Sequence, residues 1–330
     1  MIEISERCRK LAAVVAAGLC LGLSQAAAAD DVTIGWTSYP ADIPVIADAI
    51  DGGKNEAERL GVNVEFALSA GAVAQANAVD NLLALEVDVL AINPEDSRAI
   101  GPSVVKANEA GVPVVMFIGD NLGDGETVSL ISSDEELGGY TIAKWGFEKL
   151  GGKGRIALIQ GTKAHQAGLL RENGFQRAME EYPGIEMVAY GEANWMRDRA
   201  NTLAADMLTR DAEMDFIFAL SDAMAKGVYS ATKLAGATPM ITGYNGDCET
   251  LNSVWQGRIT ATLYQGWRDI GAQVVRTTSE VAKGMEVDKV IIMPIFVVDR
   301  AAMEQISAGS YDGATPGLAA DVERAIGGCA

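Results

Sequence analysis

Nine side chains with useful chemistry fall at or just beyond the ends of short apolar runs. They are Tyr39 and Asp42, Asn93, Asp120, Arg171, Trp195, Ser221, Asn245 and Gln265. Amides, carboxylates and a hydroxyl pair with vicinal hydroxyl groups, and aromatic rings cover an apolar face. The mix therefore suits a neutral polyhydroxyl ligand better than a reaction. Several of these groups have a plainer use. Asn93 and Ser221 are also placed to cap the helices that follow them, and Arg171 is also suited to a surface salt bridge. Asp96 and Asp222 read as caps or solvated carboxylates, Trp36 as core, and Trp145 and Trp255 as helix-face packing.

Signals for catalysis are poor. His165 is the only histidine, and a lone loop histidine reads as a bystander. No Gly-x-Ser-x-Gly elbow, His-Glu-x-x-His pair or phosphate-cradling glycine loop occurs. The run from Asp120 to Glu126 echoes a calcium loop, but its acidic spacing is wrong and it reads as a solvated turn. No cofactor and no metal site are expected.

The elements that must position these groups alternate. Apolar runs at 32–37, 62–68, 87–92, 113–118, 155–160, 186–190, 216–220, 240–244 and 259–264 read as strands. Between them lie stretches with apolar residues at helical spacing. The strands are apolar throughout, as parallel strands covered on both faces are. One phrase also recurs. Asp88 to Asn93, a helical stretch and Ala110-Gly111 before a strand match Asp215 to Ser221, a helical stretch and Ala235-Gly236 before a strand. Two copies of one βαβ unit predict two doubly wound α/β lobes and a cleft between them. In such sheets ligands sit beyond the carboxyl ends of the strands, where the nine residues fall.

The pattern restarts near Ile131–Asp134, and a last helix and strand remain for a second crossing. The lobes are expected at 30–132 plus about 266–291, and at 133–265 plus about 292–330. An apolar run at 290–298 is broken by Pro294, and the Gly-, Ala- and Asp-rich tail from Ala308 is expected to loop over the surface.

Residues 1–29 read as a secretory leader. Arg7, Arg9 and Lys10 precede an apolar run too short to span a bilayer, and Ala26 to Ala29 supply small residues for cleavage. The net charge is −19. The leader carries three basic and two acidic residues, so its removal leaves −20. Such a polyanion does not bind nucleic acid or an anionic membrane by charge. Cys248 and Cys329 remain; export permits a bridge, and two unpaired thiols are the alternative.

The chain resembles the periplasmic sugar-binding proteins of bacterial ABC importers, the ribose/galactose-binding group. The carriers are Gly52 to Gly61, Ala91 to Pro94, Val128 to Asp134, Arg171 to Phe175, Phe218 to Ala225 and Gly257 to Thr262. The resemblance implies a type I fold with a multi-strand hinge, a monomer in the periplasm, and a membrane permease as partner. It implies that Arg171 is the ligand arginine, Trp195 the second-lobe aromatic and Gln265 a hinge glutamine. Asp120 falls near the first-lobe aspartate. Ser221 stands where an amide is usual and Asn245 where an aspartate is usual. Val45 and Ile46 occupy places that usually hold aromatics, with Tyr39 or Trp36 as substitute rings. A pentose, deoxy-sugar, branched sugar or polyol is compatible. The expected action is capture by hinge closure and delivery to the importer. The alternatives are a sensor-type carrier for a chemoreceptor and a secreted α/β enzyme. A regulator core would need a DNA-binding segment where the leader stands.

Overall fold

The computed structural model describes residues 32–329; the expected leader lies outside them. The first sheet begins with β1 (Thr33–Thr37), α1 (Pro44–Leu60), β2 (Asn63–Phe66), α2 (Ala72–Ala84), β3 (Val89–Ile92), α3 (Gly101–Glu109), β4 (Val114–Phe117) and β5 (Ser129–Ser133). Then come α4 (Glu135–Lys149), β6 (Lys153–Gln160), α5 (Gln166–Glu181), β7 (Gly184–Glu192), α6 (Arg197–Arg210), β8 (Phe216–Ala219), α7 (Asp222–Ala235), β9 (Met240–Asn245), α8 (Cys248–Trp255) and β10 (Ala261–Tyr264). The chain ends with α9 (Trp267–Ala282), β11 (Val290–Met293), β12 (Phe296–Asp299), α10 (Arg300–Ser307) and α11 (Pro316–Ile326).

The sheets have the orders β11-β5-β4-β3-β1-β2 and β12-β10-β9-β8-β6-β7. All pairings are parallel except β10 with β12. The chain passes between them three times: after β5, after β10 and at Pro294. Pro294 therefore divides the last apolar run into two strands of different sheets. Each crossing is a short segment between packed bodies, the kind of place where a hinge bends.

Burial explains the elements. β3 and β4 are buried at every position, as strands covered on both faces must be. Trp36 is core, fully buried and 4.7 Å from the Phe117 ring centroid, so it does not serve as a substitute ring. Trp145 and Trp255 pack partly buried against the second-lobe core. Pro44 opens α1 and Gly61, at φ 67°, closes it, the favoured residues for those two ends. A Cβ on Gly271 would sit 1.9 Å from the Ala49 carbonyl oxygen, so α9 crosses α1 at backbone contact.

The tail differs from the surface loop that its composition suggests. Thr315 Oγ1 accepts from the Leu318 N–H at 3.1 Å, Pro316 follows, and Leu318, Val322 and Ala325 are buried. These apolar positions follow an i, i+4, i+7 pattern, which the small residues between them obscure. The tail is also tied down. Cys248 and Cys329 form a disulfide with Cα atoms 5.8 Å apart, across 81 residues of chain. Cys329→Ser is expected to lower the unfolding free energy by about 2–4 kcal/mol in oxidising urea titrations. Equal midpoints for the two proteins would show that the bridge adds no stability.

Candidate functional site

The loops beyond the strand ends of both sheets meet around one cleft of about 640 Å³, including its space open to solvent. Tyr39 follows β1, and Ile43 to Ile46 form the start of α1. Asn93 follows β3 and Ile118 follows β4. From the other lobe come His165 and Arg171, Trp195, Ser221, then Asn245 and Asp247. Trp267, at the start of α9, completes the wall.

Six of the nine expected residues line this cleft: Tyr39, Asn93, Arg171, Trp195, Ser221 and Asn245. The other three do not. Asp42 is exposed, because the turn carrying it points to solvent while the following helix start faces the cleft. Asp120 lies beyond Ile118 at the lip, where its backbone N–H donates to Gln166 Oε1 at 2.9 Å. Gln265 is buried behind Arg171 and acts on it from there.

Arg171 is not a surface ion pair. Its side chain is 4% exposed, and Nε donates to Glu135 Oε2 at 2.8 Å. One terminal nitrogen donates to the Leu220 carbonyl at 2.9 Å and the other to Gln265 Oε1 at 3.3 Å. Gln265 Nε2 and the Tyr244 hydroxyl both donate to the same Glu135 carboxylate, at 2.7 and 2.9 Å. The guanidinium lies 3.8 Å from the Tyr244 ring centroid. Burial works against the charge of Arg171, and Glu135 together with Tyr244 outweighs it, holding the pKa above its ordinary value. Sequence reasoning missed Glu135. An acidic residue in a helix's first turn is already explained by the helix dipole, so nothing local marks it as a buried counter-ion.

His165 is no bystander. It is 3% exposed and caps α5, Nδ1 accepting from the Ala167 N–H at 3.1 Å. That places the proton on Nε2, which faces Asn93 Oδ1 at 3.3 Å. Asn93 therefore reaches across the cleft and does not cap α3, whose N-cap is Ile100. Burial, with Arg171 adding to it, pushes the imidazole pKa down to about 3, so it is neutral at ordinary pH. More bonds close the lips. Ser97 N–H donates to the Ala164 carbonyl at 3.0 Å, and Gln166 N–H to Ser97 Oγ at 3.1 Å. The two lobes touch, and the cleft is in a closed arrangement.

The caps sort themselves individually. Ser221 does cap α7, accepting from Met224 N–H at 3.3 Å, and Asp96 accepts from the Arg98 and Ala99 N–H groups, each at 2.9 Å. Asp222 is fully buried and not solvated. It accepts from Gly246 N–H, Asp247 N–H and the Thr262 hydroxyl at 2.6 to 2.7 Å, which shapes the turn carrying Asn245.

Charge in the cleft is balanced. The two charged residues of the lining, Arg171 and Asp247, are each paired, with Glu135 at 2.8 Å and with Lys226 at 3.0 Å; Lys226 also meets Glu249 at 2.9 Å, and His165 is neutral. Two polar atoms in the lining lack a protein partner: Asn245 Oδ1, an acceptor, and Trp267 Nε1, a donor. A buried polar atom ordinarily finds a partner, and a hydroxyl group can both donate and accept. Asn245 sits at φ 119°, a conformation that asparagine tolerates better than most residues.

Two doubly wound lobes, three crossings and a charge-balanced cleft lined from both sides define a two-lobed solute-binding fold. The chain belongs to the periplasmic binding protein domain family, which matches residues 34–286. It is 32% identical over 282 residues to the ribose import binding protein RbsB of Escherichia coli K12, covering 84% of this chain and 94% of that one. A xylitol-binding protein of Mycolicibacterium smegmatis is 28% identical over 303 residues, covering 88% of this chain and 86% of that one. Among solved structures, an ABC transporter periplasmic solute-binding protein from Actinobacillus succinogenes 130z, with bound D-allose, superposes with a TM-score of 0.77. It is 26% identical, with 83% of this chain and 99% of that one covered. A solute-binding protein from Mycobacterium smegmatis with bound glycerol gives 0.78 at 25% identity, with 82% and 95% covered.

Proposed function

We propose that this protein is a periplasmic solute-binding protein that captures a neutral monosaccharide or polyol between its lobes and delivers it to a membrane ABC importer. The observation that carries the reading is a cleft lined by polar and aromatic side chains in which the charged residues, Arg171 and Asp247, are already paired. A free amino acid or an anion would bring charge that no group there is left to meet, whereas the hydroxyls of a neutral ligand bring none. The relatives named for ribose and xylitol, and the solved structure with bound D-allose, agree in ligand chemistry. Six cleft residues, Tyr39, Asn93, Arg171, Trp195, Ser221 and Asn245, are the proposed contacts. The lobes at 30–132 plus about 266–291 and 133–265 plus about 292–330 close by bending at the crossings. A ligand that touches both lobes favours the closed state by its differential affinity. Removal of residues 1–29 on export is part of the same reading, as is action as a monomer.

Thermal denaturation across a library of monosaccharides and polyols tests it. A true ligand at 100 times its dissociation constant is expected to add about 2.7 kcal/mol to stability. If no member moves the melting temperature, while amino acids or organic acids do, the reading falls.

A further inference from the structure

One stretch of the cleft wall is formed by apolar side chains. Ile43, Pro44, Val45 and Ile46 enter it from the start of α1, and Ile118 from the end of β4. Val45 and Ile46 are 6% and 3% exposed, held between this wall and the first-lobe core. Ile118 is more telling. It lies at φ 64°, in the left-handed region that a β-branched side chain rarely occupies. The Gly119 N–H reaches back to the Phe117 carbonyl at 2.8 Å, so Ile118 is the middle of a three-residue turn. A backbone of this shape is natural for Gly or Asn. An isoleucine there adds strain, yet its side chain is 4% exposed and lines the cleft. The second lobe brings Arg171, Ser221 and Asn245 to the lining, and Tyr39, Asn93 and Trp267 stand in it beside the apolar stretch.

We propose that the solute is amphipathic: an apolar edge of carbons without hydroxyls packs on the wall of Ile43, Val45, Ile46 and Ile118, while its hydroxyls face Arg171, Ser221 and Asn245. This rests on the neutral-sugar reading and narrows it to deoxygenated or C-methylated sugars and polyols. The physical reason is asymmetric. A hydroxyl pressed against these aliphatic side chains loses its water and gains no partner from them, whereas a methyl or methylene in its place gains by leaving water.

The test is isothermal titration of the full mature protein with matched pairs that differ by one hydroxyl: L-fucose with L-galactose, L-rhamnose with L-mannose, and 2-deoxy-D-ribose with D-ribose. In at least one pair the deoxy member is expected to bind about 10-fold to 100-fold more tightly. Equal or tighter binding by the fully hydroxylated member of every binding pair overturns the inference and leaves the sugar reading standing. Binding by no sugar or polyol, in these pairs or in the wider library, removes both. Two variants locate the effect. Ile118→Asn relieves the backbone and places an amide on the wall; Val45→Thr adds a hydroxyl at nearly constant volume. Each is expected to shrink the deoxy preference about 10-fold. An unchanged ratio in a folded Val45→Thr protein would show that the wall does not read that edge.

Discussion

Glu135→Ala is expected to lower the unfolding free energy by about 3–5 kcal/mol, because it strands the buried Arg171 guanidinium without its counter-ion. The same change removes the acceptor of Tyr244 and of Gln265. Urea titrations followed by circular dichroism measure the loss. Arg171→Met combined with Glu135→Ala is expected to recover much of the stability, since a buried pair replaced by apolar groups is often neutral. Ligand binding should not recover with it, because Arg171 faces the cleft. This split separates a ligand-positioning network from simple packing. Equal destabilisation by the single and double variants would contradict it. The position of the network also matters: Glu135 follows the first crossing and Gln265 precedes the return into α9. Arg171 is thus fastened to two hinge segments at once, and a ligand held by it is coupled to the hinge.

The stability of the protein should fall as pH drops from about 6.5 towards 3, with the single histidine as a main cause. His165 has its pKa lowered to about 3 in the folded state, against roughly 6.5 when unfolded. Between those values the unfolded chain holds one more proton, so stability rises with pH by about 1.4 kcal/mol per unit. The contribution is fully present above about 6.5. Some 2 kcal/mol is lost by pH 5, and roughly 5 kcal/mol over the whole window. Protonation also removes the lone pair with which Nδ1 accepts from Ala167. Arg171 adds to the depression, and Asp96 opposes it. Asp222 is shifted upward by burial and titrates with the opposite sign, so the quantity to read is a difference. Wild type minus His165→Asn, compared at pH 6.5 and 5, isolates the histidine, and asparagine still serves as a helix cap. Identical pH dependence in the two proteins would show that the imidazole titrates normally.

Much of the fold was legible along the chain. Runs such as Val89 to Ile92 and Val114 to Phe117 are apolar at every position because both faces of their sheet are covered, and this shows in residue order. Pro44 and Gly61 mark the ends of α1 for reasons of backbone conformation. The tail was not legible. Its buried positions, Leu318, Val322 and Ala325, are outnumbered by small residues that read as loop. They gain their meaning only from α8, against which the disulfide holds them.

For the site, the strand-end rule located Asn93, Ser221 and Asn245, because the carboxyl end of a parallel strand is a topological place that sequence order reveals. It could not say which way a loop turns. Asp42 faces water, whereas Ile43 to Ile46 enter the cleft. The same rule, carried two residues past Gln265, would have reached Trp267. The chain by itself determined the two lobes and the arc of strand ends that lines the cleft, since these follow from periodicity and order, and its motifs pointed to the family. Only the tertiary structure decided that Glu135 neutralises Arg171, that His165 closes on Asn93 across the cleft, and that one wall is apolar. Those are contacts between residues 36, 72 and more positions apart, and no local propensity encodes which distant partner a buried charge will find.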